Sequence, residues 1–424
     1  MKKKVFIFTA VLILNLTFTI DNCYCQWIQM SNGIGNNKSV ASLATIDNTI
    51  YAGTSGTYGI FLSTNNGINW AQTTFEHSVS ALAALGNTIF AGAGILGVYL
   101  STNSGTNWSQ TSLIHYIYSL ATSGDRIFAG TMHTGVYLST NNGQNWMQIG
   151  LNNQNIWSLA ISGSNPEDSG QVIFAGTYVN GVYLSTNNGQ NWTQAGLNNK
   201  TVYSFAISGN NIFAGTLSGV YLSTNNGTNW AQTSLNNQYV YSLATLGNVI
   251  FAGTRDSGVY ISTNNGIGWI QKNQGFSVIP SVYELLISNN FIFAGTDGQA
   301  GWRRQLSDII GIQNISTEIP SAFSLEQNYP NPFNPSTKIR FSIPAVVSRP
   351  DKPGYTETHF RGNDRVFLKV FDILGKEVAT LVNESLQPGT YETSFDASNL
   401  AGGIYFYRLQ SDNYVESRKM LLIK

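Results

Sequence analysis

Short apolar runs rich in β-branched and aromatic residues alternate with clusters of Gly, Asn and Ser between residues 26 and 307. One stretch shows the pattern. Val202-Tyr203-Ser204-Phe205-Ala206-Ile207 leads through a Gly/Asn turn to Ile212-Phe213-Ala214-Gly215-Thr216, and then to Gly219-Val220-Tyr221-Leu222-Ser223. Asn225-Asn226-Gly227 turns the chain back into Asn229-Trp230-Ala231-Gln232. Runs of this length and composition are strand signals, and Asn-Gly is the strongest two-residue hairpin signal. No segment keeps a 3.6-residue apolar period over the ten or more positions a helix needs.

The unit repeats about every forty residues. Ser-Thr-Asn-Asn-Gly-x-Asn-Trp stands at Ser63–Trp70, Ser139–Trp146, Ser185–Trp192 and Ser223–Trp230, and in altered form at Ser101–Trp108 and Ser262–Trp269. Four short antiparallel strands per repeat predict a β-propeller. The Phe-Ala-Gly-Thr strand occurs seven times, from Tyr51–Thr54 to Phe293–Thr296. Trp-x-Gln also occurs seven times, but the first copy, Trp27-Ile28-Gln29, precedes every other strand and the last unit has none. The mature N-terminus is therefore expected to supply the fourth strand of blade seven, a clasp that removes the free sheet edges.

Composition narrows the setting. Lys plus Arg equals Asp plus Glu at 22 each, and residues 26–310 hold only seven basic and nine acidic side chains, so no basic face for nucleic acid is expected. Lys2, Lys3 and Lys4 before an apolar run to Ile20 read as a signal peptide over residues 1–25, cut after Cys25. Both cysteines leave with it, so the mature chain can form no disulfide. No later stretch reaches the roughly 18 apolar residues of a membrane span.

The hairpin resembles the Asp-box of the bacterial neuraminidase repeat, Ser-x-Asp-x-Gly-x-x-Trp, with Asn at the Asp position: Asn65, Asn103, Asn141, Asn187, Asn225 and Asn264. Asn can still accept a backbone N–H inside the turn. The resemblance implies a propeller with the box between third and fourth strands, away from the ligand face. It implies no one activity, since sialidases, xyloglucan hydrolases, sorting receptors and assembly factors share it.

After a segment without repeats, 308–322, read as a linker, the composition changes. Asn328-Tyr329-Pro330-Asn331-Pro332-Phe333-Asn334-Pro335-Ser336-Thr337 opens a region of apolar runs and Gly/Pro turns that ends Lys419-Met420-Leu421-Leu422-Ile423-Lys424. This pattern over 323–424 predicts an Ig-like β-sandwich. The segment closely resembles the type A C-terminal sorting domain of the type IX secretion system, with Asn328–Pro335 as its opening motif. That resemblance implies the type IX machinery as partner and a secreted or outer-surface location. Residues 345–365 form a polar insertion expected to loop out of the sandwich. The fold class expected is all-β: a seven-bladed propeller (26–307) plus a sandwich.

Candidate chemistry is sparse. The mature chain has no Cys, and His77, His115, His133 and His359 lie far apart in sequence, so no metal site or cofactor is expected. Arg126, Arg255, Arg303 and Arg304 do not suit a three-arginine carboxylate site. Asp256 and Asp297 occupy equivalent loops of adjacent blades, with Glu284 nearby, and form the best carboxylate set for glycoside hydrolysis; Asp-Ser-Gly and Asp-Gly are also ordinary turn sequences. The second position of the innermost strand is Tyr118, Trp157, Tyr203, Tyr241 and Tyr283 in five successive blades, and Ala41 and Ser80 in the first two. These rings suit either an aromatic arc for a glycan or protein ligand or a packed layer between blades. A non-enzymatic binding or display protein is the first expectation, and a secreted polysaccharide-active hydrolase the alternative.

Overall fold

The computed structural model describes residues 26–163, 171–306, 309 and most of 313–424, omitting 317, 345, 348–357, 360–364, 387, 398–399 and 412–413. The signal segment expected at 1–25 lies outside the described residues. So does most of the 345–365 insertion, apart from a short ladder between Val346–Val347 and Thr358–His359.

Residues 28–305 form seven four-stranded antiparallel sheets. Their innermost strands are Val40–Ile46, Ala81–Leu85, Ile117–Ser123, Ile156–Ser162, Val202–Ser208, Val240–Leu246 and Val282–Ser288. Each packs on the next, and the seventh packs on the first, so the ring is closed. The second strand of each blade, as in Asn211–Thr216, is buried along nearly its whole length, because neighbouring blades cover both faces of the sheet. That double burial explains a near-continuous apolar run in place of alternation.

The Phe-Ala-Gly-Thr motif follows from this packing. A Cβ on Gly295 would lie 2.7 Å from Val40 O, and one on Gly53 would lie 2.5 Å from Val79 Cγ1. Only Gly lets the next inner strand come so close. The motif's Thr is fully buried, and its hydroxyl donates to the carbonyl that ends the following turn, as Thr54 Oγ1 does to Gly59 O at 2.7 Å and Thr296 Oγ1 to Ala300 O at 2.9 Å.

The six hairpins share one hydrogen-bond set. In blade five, Ser223 Oγ accepts the Gly227 N–H at 2.9 Å and donates to Asn225 Oδ1, and Asn225 Oδ1 accepts the Asn229 N–H at 2.9 Å. Asn thus fills the acceptor role expected at the Asp position. Asn226 supports the left-handed turn at φ 54°, a conformation Asn tolerates.

Ile28–Gln29 pairs antiparallel with Gly301–Gln305, Ile28 opposite Arg303, as the orphan Trp-x-Gln predicted. The side-chain register agrees. Gln29 Nε2 donates to Gln299 O at 2.9 Å, just as Gln72 donates to Tyr58 O and Gln271 to Ser257 O in their own blades. Trp27 is 1% exposed, stacks on Phe276 at 5.1 Å, and donates its indole N–H to Lys272 O at 2.7 Å.

The C-terminal region is two four-stranded sheets around one apolar core. One sheet holds Gln313–Ser316, Gly389–Asp396, Ser336–Ile343 and Ser324–Leu325; the other holds Glu377–Ser385, Arg365–Phe371, Gly403–Ser411 and Tyr414–Leu422. The expected linker 308–322 thus contributes a strand. Gln313–Ser316 hydrogen-bonds to Gly389–Asp396, which would otherwise be a bare sheet edge.

Candidate functional site at the channel mouth

The inner strands line a central cavity of about 670 Å³. In six of them the register against the second strand slips between the first and third residues. The residue at the slip is Ala41, Tyr118, Trp157, Tyr203, Tyr241 or Tyr283. A bulge frees one residue from the ladder and re-aims its side chain, and here these side chains line the cavity. Each of the five rings is half-buried.

The rings touch in sequence. Tyr118 stacks on Trp157 at 4.5 Å with an interplanar angle of 11°. Trp157 meets Tyr203 edge-on at 5.2 Å, Tyr203 meets Tyr241 edge-on at 5.3 Å, and Tyr241 lies 5.7 Å from Tyr283. Blades one and two break the arc: Ala41 offers a methyl group, and Ser80 Oγ donates to Ile117 O at 2.6 Å. Burial raises the phenol pKa values of Tyr118 and Tyr203. Burial, with Asp297 beside the hydroxyl, pushes Tyr283 up to about 12. The Tyr118, Tyr203 and Tyr283 phenols therefore remain neutral hydrogen-bond donors. Two further rings belong to the rim and were not singled out from sequence: Tyr116, 5.0 Å from Tyr118, and Tyr178, 6.3 Å from Trp157. Their signal was position, just before an inner strand and just after Phe-Ala-Gly-Thr.

Glu284 follows Tyr283 at the third strand position, where Ser42, Ser119, Ser158, Ser204 and Ser242 stand in other blades. Ser42, Ser204 and Ser242 accept the N–H of Leu82, Leu243 and Leu285 from the next blade. Glu284 also lines the cavity, and burial raises its pKa from 4.5 to about 8, opposed by the Leu285 N–H. The strands packed on it are Val240–Leu246, Val249–Thr254, Val40–Ile46 and Phe291–Thr296. They bring one titratable group, the Tyr241 phenol, and no charge. The fold thus favours protonated Glu284, so its contribution to stability is full below pH 4.5 and is lost as pH rises through about 8. Thermal melts across that window should show the wild type losing stability relative to Glu284→Gln.

The other candidates are held by local contacts. Ser281 Oγ donates to Asp256 Oδ1, and Asp256 pairs with Arg255 at 3.3 Å on the exposed rim. Ser39 Oγ donates to Asp297 Oδ1 at 2.7 Å. Both aspartates raise the Tyr283 pKa, so they flank one phenol, whereas neither contributes to the Glu284 shift. His77 packs edge-on to Phe75 at 5.4 Å, His115 Nε2 lies 3.2 Å from the Tyr137 hydroxyl, and the His133 N–H donates to Asn155 Oδ1 at 2.8 Å. No group of three or more His, Cys, Asp or Glu suited to a metal occurs among the described residues. Arg304 is 4% exposed and donates to Gln274 Oε1, while Arg303 donates to Asn66 O. Both belong to the outer part of the last blade.

The opening motif of the C-terminal region is pinned to its last strand. Buried Asn328 donates its side-chain amide to Pro330 O and Thr337 Oγ1, each at 3.0 Å. Phe333 enters the core, donates its N–H to Leu421 O at 3.0 Å and accepts the Ile423 N–H at 2.9 Å. Asn331 Oδ1 accepts the Leu421 N–H at 3.0 Å. Tyr329 stands 81% exposed. The two unusual strings at the ends of this segment are thus stitched to each other.

Residues 327–424 match the family described as the secretion system C-terminal sorting domain. This segment is a type IX sorting domain. The protein is therefore secreted or carried to the outer cell surface, with the type IX machinery as a partner. No curated protein matches the chain. Among solved structures it is similar to YCF48 from Cyanidioschyzon merolae (14% identity, TM-score 0.54, covering 66% of this chain and 98% of that one). It is also similar to the extracellular domain of BT4673 from B. thetaiotaomicron (16%, 0.55, 79% and 47%). A third likeness is to the GH74 xyloglucanase from Xanthomonas campestris (12%, 0.53, 92% and 75%). At these identities the likenesses show the propeller fold alone.

Proposed function

We propose that this protein is a non-enzymatic binding propeller, displayed at or released from the cell surface, that takes an extracellular glycan or protein ligand at its channel mouth. The unbroken run of rings from Tyr118 to Tyr283 carries this reading. Five adjacent inner strands each spend a bulge on aiming a half-buried aromatic at one cavity, and such rings offer large contact area with a polar tip. The repeats are read as Asn-type Asp-boxes, and residues 1–25 as a signal peptide that starts export.

The second reading is a polysaccharide-active hydrolase, favoured by the fold it shares with a xyloglucanase and by the carboxyl groups in blades six and seven. Against it, serine hydroxyls of neighbouring loops hold Asp256 and Asp297, and Glu284 is not coupled to either, so no acid–base pair is set up. A panel of extracellular glycans and proteins separates the two when binding and product release are followed together on the full-length secreted chain. Binding without hydrolysis, lost on Trp157→Ala or Tyr203→Ala, is expected. Hydrolysis lost on Asp297→Asn would establish the enzyme instead.

A further inference from the structure

The cavity behind the arc holds one ionisable carboxyl group, Glu284, which is protonated below about pH 8. Among the described residues no Lys, Arg or His lines it. The strands packed on Glu284 bring no cation, and its pKa owes nothing to one. Once ionised, that carboxylate adds its charge to the ring faces that open onto the cavity, because the faces of aromatic rings are themselves negative. The rim adds Asp256 and Asp297 around Tyr283. One cation stands at this rim: the Arg255 guanidinium, which pairs with Asp256 at 3.3 Å and lies 5.8 Å from the Tyr239 ring centre.

We infer that the channel mouth binds an alkylammonium group, seated against Tyr203, Tyr241 and Tyr283, with Glu284 releasing its proton to solvent to become the counter-ion. This rests on the binding reading above and gives the site a ligand class. A cation with a hydrophobic periphery satisfies both parts of the site: its charge answers the carboxylate, and its methylenes or methyls replace water on the rings. Anionic ligands are disfavoured once Glu284 is ionised. The group comes either from a polyamine or from a lysine side chain on a partner protein.

The test uses the full-length secreted chain and follows its tryptophan fluorescence or NMR signals. The probes are choline, its neutral isostere 3,3-dimethylbutanol, putrescine, and a short lysine peptide with and without Nε-acetylation. At pH 9, where Glu284 is ionised, choline should bind at millimolar concentration or below, at least about tenfold more tightly than the neutral isostere, and that preference should fade at pH 6. Glu284→Gln should remove that preference while leaving the weak binding of the isostere, and Glu284→Asp should keep part of it. Putrescine binding more tightly than the lysine peptide would assign the site to a polyamine; a lysine peptide that binds more tightly, and loses affinity on acetylation, would assign it to a protein partner.

Equal binding of choline and its isostere, or a preference that survives in Glu284→Gln, would overturn the inference. The binding reading would stand in that case provided Trp157→Ala still abolished binding of the panel ligand. Failure of every ammonium probe would overturn the inference as well. Melting curves of the Glu284 variants confirm that the ring is intact.

Discussion

Trp27→Ala should lower the unfolding free energy of the propeller by about 3–5 kcal/mol, the usual loss for a buried large aromatic. For a domain of this size that shifts the melting midpoint by on the order of 10 °C. The indole is enclosed, stacked on Phe276 and hydrogen-bonded to Lys272 O, and its backbone N–H reaches Gln274 O at 2.8 Å. Among the described residues blade seven has no other fourth strand, since Ile28–Gln29 covers the edge of Gly301–Gln305. Weakening this strand therefore exposes a sheet edge as well as a cavity, and aggregation on heating should accompany the loss. Trp146→Ala, at a comparable position in blade three but only partly buried, should be milder. Calorimetry of both variants checks the order. Equal effects would mean that ring closure does not depend on the N-terminal strand.

Deleting residues 327–424 should abolish delivery to the medium or cell surface and leave the propeller retained inside the cell envelope. Fractionation and immunoblotting of the producing cells measure this directly. Phe333→Ala should act in the same direction. The ring fills the sandwich core, and its backbone ties the opening motif to the last strand. Its loss costs about 3–5 kcal/mol in a small domain, enough to unfold many domains of that size. Tyr329→Ala removes an exposed ring and should leave the sandwich folded. A secretion defect in that variant would mark Tyr329 as a contact for the machinery. Normal export of the truncated chain would contradict the sorting role.

Most of the architecture was legible because repetition amplifies weak local signals. A two-residue strand such as Ile28–Gln29 has no periodicity of its own, but Trp-x-Gln with one copy displaced to the N-terminus predicted its partner. The Phe-Ala-Gly-Thr strand was legible for a steric reason, since its Gly marks where the next blade touches. Gln313–Ser316 was not legible. It is four residues long, mostly polar, and its partner strand Gly389–Asp396 lies far along the chain.

The aromatic arc was visible in the alignment of repeats as Tyr118, Trp157, Tyr203, Tyr241 and Tyr283, but whether the rings faced a cavity or packed between blades was not. The bulge decides it, and a bulge depends on pairing geometry that no single strand reveals. Glu284 was visible as the departure from Ser at one repeat position. Repeat position placed Asp256 and Asp297 in equivalent loops and Glu284 on the seventh inner strand; the fold adds that the two aspartates flank Tyr283 while Glu284 lines the cavity.

The measurement that tests the central claim most directly is the affinity of the full-length secreted chain for its tightest ligand from the extracellular panel. It is made by titration calorimetry, with and without Trp157→Ala plus Tyr241→Ala. Two rings at the centre of a binding surface should together account for about a hundredfold or more in affinity, with the melting profile showing the ring still closed. An unchanged affinity in a folded double variant would place the ligand elsewhere, and the arc would then serve only to line and brace the channel.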